Sequence, residues 1–373
     1  MSRVWESAGR RTGLVGAATG VLAGGAAVGL AVERFLIGRR RPDPELDVPL
    51  GSLHGVPAVV RADDGVELYA EVEDPPGGAE PRLTVVFVHG YALNMDCWHF
   101  QRKAFRDAVR QPEDGSHHAS DVRLVFYDQR SHGRSGRSAP ENCRIAQLGA
   151  DLITMLDELV PNGPIVLIGH SMGGMSIMAA AGQKPDLFAE RVIGVGLLGT
   201  AAGDMGQVTL GAPGPVGRLV HMCVPSFIAA LSKAPDLVEH GRKAGSDIGY
   251  LMTKRYSFGS NVPASRVEFQ AEMLSATPIE VVSDFFPAFA ELDEYDSLAV
   301  VQRCETLVMA GADDVIVPVE RGRDLARRMP LAQYDELARC GHMVILEYPD
   351  VVNERLFGLV ERAVAAVERE PVR

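Results

Sequence analysis

Short runs of consecutive apolar residues recur along the chain, and longer segments with helical spacing separate them. The five clearest runs are Arg82–Gly90, Val122–Gln129, Pro164–Ser171, Arg191–Gly199 and Thr306–Gly311. Strands buried on both faces have this composition, because helices cover both sides of a parallel sheet. The clearest helical segments are Trp98–Val109, Ile145–Leu159 and Pro349–Glu368. The sequence therefore predicts the α/β class, with a mostly parallel central sheet covered by helices on both faces.

Two further segments complete the predicted organisation. Residues 59–74 hold two apolar stretches around Asp63-Asp64-Gly65, which predicts a hairpin ahead of the first buried strand. Residues 200–305 interrupt the alternation, have a mainly helical pattern and carry many Met and Phe residues. We expect this insertion to form a helical cap over the ligand-binding edge of the sheet. The predicted parts are a leader with linker at 1–41, a core at 56–199 and 306–370, and the cap at 200–305.

The N-terminal segment Gly13–Val32 contains 20 residues without a charge and is flanked by arginines at both ends. As a helix it would span roughly 30 Å, the thickness of the hydrocarbon core of a bilayer. It is rich in Gly and Ala, so its insertion energy is marginal. We expect a single membrane anchor and a membrane-associated protein, with the side of the membrane left open. A secretory signal cleaved near Gly29-Leu30-Ala31 and a leader without function are the alternatives.

Composition excludes several classes of protein. A formal net charge of −12 leaves no broad basic surface to neutralise phosphates, so we expect no nucleic-acid partner. The five cysteines are scattered, odd in number and without a CxxC pair, so the sequence predicts neither a zinc site nor a disulfide framework. We expect no metal and no organic cofactor.

The hexapeptide Gly169–Gly174, GHSMGG, directly follows a buried run and precedes an Ala- and Met-rich helical segment. A serine at a sharp strand-to-helix turn presents its Oγ to a substrate, and the flanking glycines relieve crowding in that turn. The N-terminus of the helix supplies N–H groups where an oxyanion can form. We predict Ser171 as a nucleophile and the N–H of Met172 as an oxyanion donor. The alternative is an ordinary glycine-rich turn, and the strand and helix context disfavours it.

Two other loops predict an oxyanion donor and a base. His89-Gly90-Tyr91 ends a buried run, and the N–H of Tyr91 would be the second donor to the oxyanion. Each such donor contributes about 2.7–4 kcal/mol of transition-state stabilisation. His342 lies between the last strand and the last helix, where a histidine can reach Ser171 across the edge of the sheet.

An acid is needed to orient that imidazole. Gly311–Pro318 follows the fifth run and contains two candidates, Asp313 and Asp314. Asp204, which follows the fourth run, is a third candidate. The chain order serine, aspartate, histidine differs from the orders of the chymotrypsin and subtilisin classes.

Together these motifs resemble those of the α/β-hydrolase superfamily, in particular its lid-bearing esterases, lipases and lysophospholipases. The resemblance covers roughly residues 56–367 and depends on HGY at 89–91, DQRSHGRSG at 128–136, GHSMGG at 169–174, GADDVIVP at 311–318 and GH at 341–342. In that family the acid usually stands three residues after the strand-end glycine and four before the proline, which selects Asp314. The turn that contains His132 is structural in most members, so His132 stays outside the catalytic set. Relatives with an aspartate nucleophile are disfavoured by Ser171.

The predicted activity is therefore hydrolysis of carboxylic esters by Ser171, His342 and Asp314 through an acyl-enzyme, with the amides of Tyr91 and Met172 holding the oxyanion. The Met and Phe residues of the cap indicate an apolar acyl group or a lipid ester, unless they only pack the core of the cap. A thioesterase, amidase or perhydrolase would use the same residues. A binding protein without activity on a hydrolase scaffold is the remaining alternative.

Overall fold

The structure is a computed structural model that describes residues 43, 46–110, 121–205 and 246–369. The chain forms two units. The first unit comprises residues 1–46 and 263–265, and in it the N–H of Leu46 donates to the carbonyl of Asp43 at 3.2 Å. The second unit comprises residues 47–262 and 266–373 and contains the sheet.

Within the described residues, eight strands form one sheet in the order β1-β2-β4-β3-β5-β6-β7-β8. The strands are β1 (Val56–Arg61), β2 (Glu67–Glu73), β3 (Leu83–Val88), β4 (Val122–Tyr127), β5 (Ile165–His170), β6 (Val192–Leu198), β7 (Glu305–Gly311) and β8 (Gln333–Leu337). The β1–β2 and β2–β4 pairs are antiparallel, and all other neighbours are parallel. The predicted mostly parallel sheet and the predicted hairpin are confirmed.

The order of the strands reverses at β3. This strand pairs with β4 on one side and with β5 on the other, so that Val88 lies opposite Tyr127 and Gly169. Where the order reverses, the connections leave the sheet in opposite directions and open a crevice outside the carboxyl ends of the strands. The segments that follow β3 and β5 are HGY and SMGG, so both of these motifs begin at this crevice.

Helices alternate with the strands. In the described part of the chain they are α1 (His99–Arg110), α2 (Ile145–Leu159), α3 (Met172–Gln183), α4 (Pro185–Glu190), α5 (Ser246–Ser257), α6 (Ala264–Ala276), α7 (Ile279–Ala290), α8 (Leu298–Val301), α9 (Val319–Arg328), α10 (Val344–Glu347) and α11 (Pro349–Arg369). Helices α5 to α8 all lie between β6 and β7. We call α5, α6 and α7 the cap helices. Residues 206–245 of the predicted cap lie outside the described residues, and its extent as a domain stays a prediction.

Hydrophobic cores cover both faces of the sheet. Alternate residues of a strand point to opposite faces, so in β3 Val86 and Val88 pack with α2 and α3, whereas Val85 and Phe87 pack with α1 and α11. Both faces of the strand are therefore buried, and five of its six residues are apolar, with Thr84 as the exception, which explains why the buried runs lack the alternation of a half-exposed strand.

The predicted membrane localisation is contradicted. Among the residues that the structure describes, no helix is long and apolar enough to cross a membrane. Gly13–Val32, on which the predictions of an anchor or a cleaved signal depended, lies outside the described residues. Twelve of its 20 residues are Gly or Ala, and such small side chains bury little apolar area, so absence of charge alone was a weak basis for this prediction.

Candidate active site

Ser171 occupies the turn between β5 and α3 with φ 53° and ψ −121°. A residue other than glycine in this region costs about 1–3 kcal/mol, so the surroundings must hold it. The N–H of Ser171 donates to the carbonyl of Leu198 at 2.9 Å, and the Thr200 hydroxyl donates to the carbonyl of Ser171 at 2.7 Å. Thr200, which follows β6, was not among the predicted site residues.

The glycines on either side of Ser171 are required by close packing. A Cβ added at Gly173 would lie 2.1 Å from the carbonyl oxygen of Val88. One added at Gly169 would lie 2.5 Å from the backbone nitrogen of Gly174. Both distances are far below van der Waals contact. The helix α3 can therefore start directly against β3 and β5 only because these two residues have no side chain.

Asp314, and not Asp313 or Asp204, meets His342. The Nδ1 of His342 lies 2.7 Å from Asp314 Oδ2, while Asp314 Oδ1 accepts the N–H groups of Ile316 and Val317 at 2.8 and 2.9 Å. An ionised carboxylate only accepts hydrogen bonds, so this geometry places the proton of the neutral imidazole on Nδ1. The Nε2 of His342 then carries the lone pair that a general base needs.

The other two candidate acids have other partners. Asp313 is exposed, and its backbone N–H donates to the carbonyl of Cys340 at 2.9 Å. Asp204 is also exposed and accepts hydrogen bonds from the Tyr295 hydroxyl at 2.8 Å and from Arg321 at 3.2 Å.

Two buried side chains hold the loop that carries His342. The Nε2 of His170 lies 2.9 Å from the carbonyl oxygen of His342, which can only accept a hydrogen bond. Burial lowers the pKa of His170 to about 3, so the ring is neutral and its proton is on Nε2. The Glu347 carboxylate accepts the N–H of Gly341 at 2.7 Å and that of Gly259, in the segment after α5, at 3.0 Å. Neither residue was predicted, although His170 lies within the GHSMGG motif.

His89 orients the peptide that precedes Tyr91. The N–H of Gln129 donates to His89 Nε2 at 2.9 Å, so His89 carries its proton on Nδ1 and donates it to the carbonyl of Gly90 at 2.7 Å. In a trans peptide the N–H and C=O point in opposite directions, so the N–H of Tyr91 points away from His89. Within the described part of the chain, the N–H groups of Tyr91 and Met172 have no hydrogen-bond acceptor. Both are therefore available to a ligand.

Ser171 and this loop are neighbours. A Cβ added at Gly90 would lie 3.1 Å from the Cβ of Ser171. Ser171, His342, Gly90 and Tyr91 line one cavity of about 480 Å³. Ser171, His342 and Asp314 are each 6% exposed. The remaining walls are mainly apolar and include Met175, Met205, Leu274, Val282, Phe286 and Phe289.

His132, which we excluded from the catalytic set, is buried beside this cavity but does not line it. Its Nδ1 lies 2.9 Å from the carbonyl oxygen of Arg130, and its ring packs 5.3 Å from that of Phe285. Among the described residues, no group of three His, Cys, Asp or Glu side chains could hold a metal ion.

The buried histidines predict loss of stability in acid. Burial lowers the pKa of His89 and His170 to about 3 and that of His99 and His132 to about 4, whereas an unfolded chain binds these protons near pH 6.5. The stability is present above pH 6.5 and is lost as pH falls, and each histidine contributes a loss of about 1.4 kcal/mol per pH unit. Asp128, whose pKa burial raises to about 6, offsets one of these four contributions below pH 6. We expect the free energy of unfolding to fall by roughly 4 kcal/mol per pH unit between pH 6 and pH 4.

Urea unfolding at pH 7.5, 6.0 and 5.0 measures this slope. His132→Gln removes one titrating group and should make the slope shallower by about 1.4 kcal/mol per pH unit, whatever its effect on absolute stability. Equal free energies of unfolding at pH 7.5 and 5.0 would contradict the prediction.

A model of the alpha/beta hydrolase family matches residues 85–355. The chain belongs to this family. The match begins in β3 and ends in α11, so it includes Tyr91, Ser171, Asp314 and His342. As a member of the alpha/beta hydrolases, the protein is an esterase-like hydrolase, as the sequence motifs predicted.

Individual relatives within the alpha/beta hydrolase family are distant. RutD of Caulobacter sp. (strain K31), to which carbamate hydrolysis is ascribed, is 26% identical over 295 residues, covering 77% of this chain and 92% of its own. A monoacylglycerol lipase of Mycolicibacterium smegmatis is 28% identical over 195 residues, covering 48% of this chain and 63% of the lipase. A solved thermophilic esterase from Thermogutta terrifontis has a TM-score of 0.57 and 23% identity, covering 82% of this chain and 98% of the esterase. This last likeness shows the fold alone.

Proposed function

We propose that this protein is a serine esterase that cleaves carboxylic esters of an apolar acyl group through an acyl-enzyme on Ser171. The observation that carries the proposal is the 2.7 Å contact between His342 and Asp314 at the cavity that Ser171 lines. A nucleophile, a base with its lone pair on Nε2 and a buried acid are the three groups that acyl transfer requires.

In the first step, His342 Nε2 takes the proton of the Ser171 hydroxyl while Oγ attacks the ester carbonyl. The carbonyl oxygen becomes an oxyanion and accepts hydrogen bonds from the N–H groups of Tyr91 and Met172. Asp314 stays ionised and stabilises the imidazolium. The C–O bond to the alcohol then breaks, and Nε2 returns its proton to the leaving oxygen.

In the second step, water replaces the alcohol. His342 removes a proton from the water as its oxygen attacks the acyl-serine carbonyl. The same two N–H groups hold the second oxyanion. Its collapse releases the carboxylic acid, and the proton on His342 returns to Ser171 Oγ.

The cavity supports an apolar acyl group. Its walls are mainly apolar and include four Met, two Leu, two Val and two Phe residues, and its volume of about 480 Å³ is within the usual range for small-molecule sites. Burying one further methylene contributes about 0.8 kcal/mol, which corresponds to roughly fourfold in kcat/KM. The monoacylglycerol lipase among the relatives carries a name that fits such a substrate.

Two measurements test the proposal together. A fluorophosphonate probe should label the protein at one serine, identified as Ser171 by mass spectrometry of the labelled peptide. For p-nitrophenyl esters from acetate to palmitate, kcat/KM should rise by up to about fourfold for each added methylene until the acyl chain fills the cavity. Ser52→Ala, at a residue that hydrogen-bonds Pro49 outside the cavity, is the control and should keep both properties. Neither labelling nor hydrolysis in the wild type would refute the esterase.

A further inference from the structure

The oxyanion loop, which we define as Gly90–Leu93, has hydrogen bonds to the cap as well as to the core. The Thr277 hydroxyl donates to the carbonyl of Ala92 at 3.0 Å. In the opposite direction, the Tyr91 hydroxyl donates to the carbonyl of Val282. Thr277 lies between α6 and α7, and Val282 lies in the first turn of α7. The segment Thr277–Val282, here called the cap junction, is thus joined to the loop by two hydrogen bonds.

Ala92 is in a strained conformation. Its φ is +56°, where a residue with a Cβ crowds its own carbonyl and costs roughly 1–2 kcal/mol. The residue is buried, and among the described residues Thr277 is the one donor to its carbonyl. Without this donor, a buried carbonyl would remain unpaired, and the strain at Ala92 would favour rotation of the adjoining Tyr91–Ala92 peptide.

The two sides of the loop are therefore held by different parts of the molecule. From the core, His89 binds the Gly90 carbonyl, and the Gln129 amide donates to the carbonyl of His89 at 2.7 Å. From the cap junction, Thr277 binds the Ala92 carbonyl. The N–H of Tyr91 lies between the two attachments. The Thr277 hydroxyl is also 3.5 Å from the carbonyl of Met273, but its shorter bond is the one to the loop.

We propose that Thr277 and the hydroxyl of Tyr91 are positioning groups for catalysis, through which the cap holds the Tyr91 N–H in place to stabilise the oxyanion. This inference rests on the proposed function, because it assigns the cap a part in the same reaction. Oxyanion donors act only within about 2.7–3.1 Å of the developing charge, so a small shift of the loop weakens them. The cap would then affect kcat, whereas a cap that only lines the cavity would affect KM.

Thr277→Val tests this directly, because valine keeps the shape of threonine and lacks the donor. Loss of a whole oxyanion donor lowers kcat by about 10²–10³-fold, and we expect a displaced donor to cost about 10- to 100-fold. KM for the p-nitrophenyl ester should stay within about twofold. Thr277→Ser restores the hydroxyl and should keep kcat within about threefold of the wild type. Tyr91→Phe, which keeps the ring and the backbone N–H, should lower kcat in the same way.

An inhibitor pair gives a second readout. A trifluoromethyl ketone adds to the serine and places an oxyanion in the hole, whereas a methyl ketone of the same chain length binds in the cavity without adding. In Thr277→Val the inhibition constant of the first should rise by the factor by which kcat falls, and that of the second should not change. If the inhibition constants of both ketones rise equally, and KM is raised while kcat is intact, the inference is overturned.

The outcomes separate the two proposals. If the wild type hydrolyses esters and is labelled at Ser171, but Thr277→Val and Tyr91→Phe match it in kcat, the positioning role is wrong and the esterase stands. If the wild type is neither labelled nor active, both proposals fail. Thermal unfolding of each variant shows whether a loss of kcat occurs in a folded protein.

Discussion

Ser171→Ala is expected to lower kcat for ester hydrolysis by at least about 10³-fold and by up to about 10⁶-fold. Without Oγ no acyl-enzyme can form, and only binding and the oxyanion donors remain to accelerate attack by water. The variant should still fold, because the backbone bonds of residue 171 to Leu198 and Thr200 do not involve the hydroxyl. Initial rates with an ester near the chain-length optimum, and thermal unfolding of the same samples, measure both effects.

The control for this variant is a measurement of ligand binding. Ser171→Ala should still bind the methyl ketone, because the apolar walls of the cavity are unchanged, and it should no longer react with the fluorophosphonate. A variant that hydrolyses esters as fast as the wild type would show that the strained serine has no catalytic role.

Asp314→Asn is expected to lower kcat by about 10³- to 10⁴-fold. Asparagine can still accept the N–H groups of Ile316 and Val317 through Oδ1, which turns its NH₂ group toward His342 Nδ1. Two donors cannot face each other, so the imidazole must move its proton to Nε2. A histidine in that tautomer has no lone pair for the proton of Ser171. KM should change little, because Asp314 does not line the cavity.

The chain offers a matched control in the preceding residue. Asp313→Asn makes the same chemical change one position away, at an exposed residue that contacts the histidine loop through its backbone N–H, which donates to the carbonyl of Cys340. It should keep kcat within about threefold of the wild type. Asp204→Asn should also stay active, since its partners are Tyr295 and Arg321. A large loss in Asp313→Asn with an active Asp314→Asn would reverse the assignment of the acid.

Much of the fold follows from local sequence patterns. The five buried runs correspond to strands β3 to β7, and the predicted ends differ from the observed ends by two residues at most. The predicted helix Ile145–Leu159 has the same bounds in the structure. Such elements are predictable because a doubly covered strand needs apolar residues throughout and a surface helix needs them at helical spacing. The short helix α4, between α3 and β6, was not predicted, because six residues are too few for a helical period to be recognised.

The N-terminal segment shows the limit of the same approach. A membrane anchor was predicted there from the length of the segment and its absence of charge, and not from the apolar area that its side chains could bury. Small side chains satisfy a count of uncharged residues without supplying the apolar area that favours a membrane.

By itself, the sequence determined the α/β architecture and the loops that carry a serine, a histidine and two adjacent aspartates, because these follow from residues close together in the chain. The family resemblance had already selected Asp314, and the structure shows its contact with His342. Only the tertiary structure decided which residues hold the loops. The His170–His342 bond joins residues 172 positions apart, and the Thr277–Ala92 bond joins residues 185 positions apart. No local pattern encodes such pairs, because their contact arises only when the sheet and the cap helices pack together.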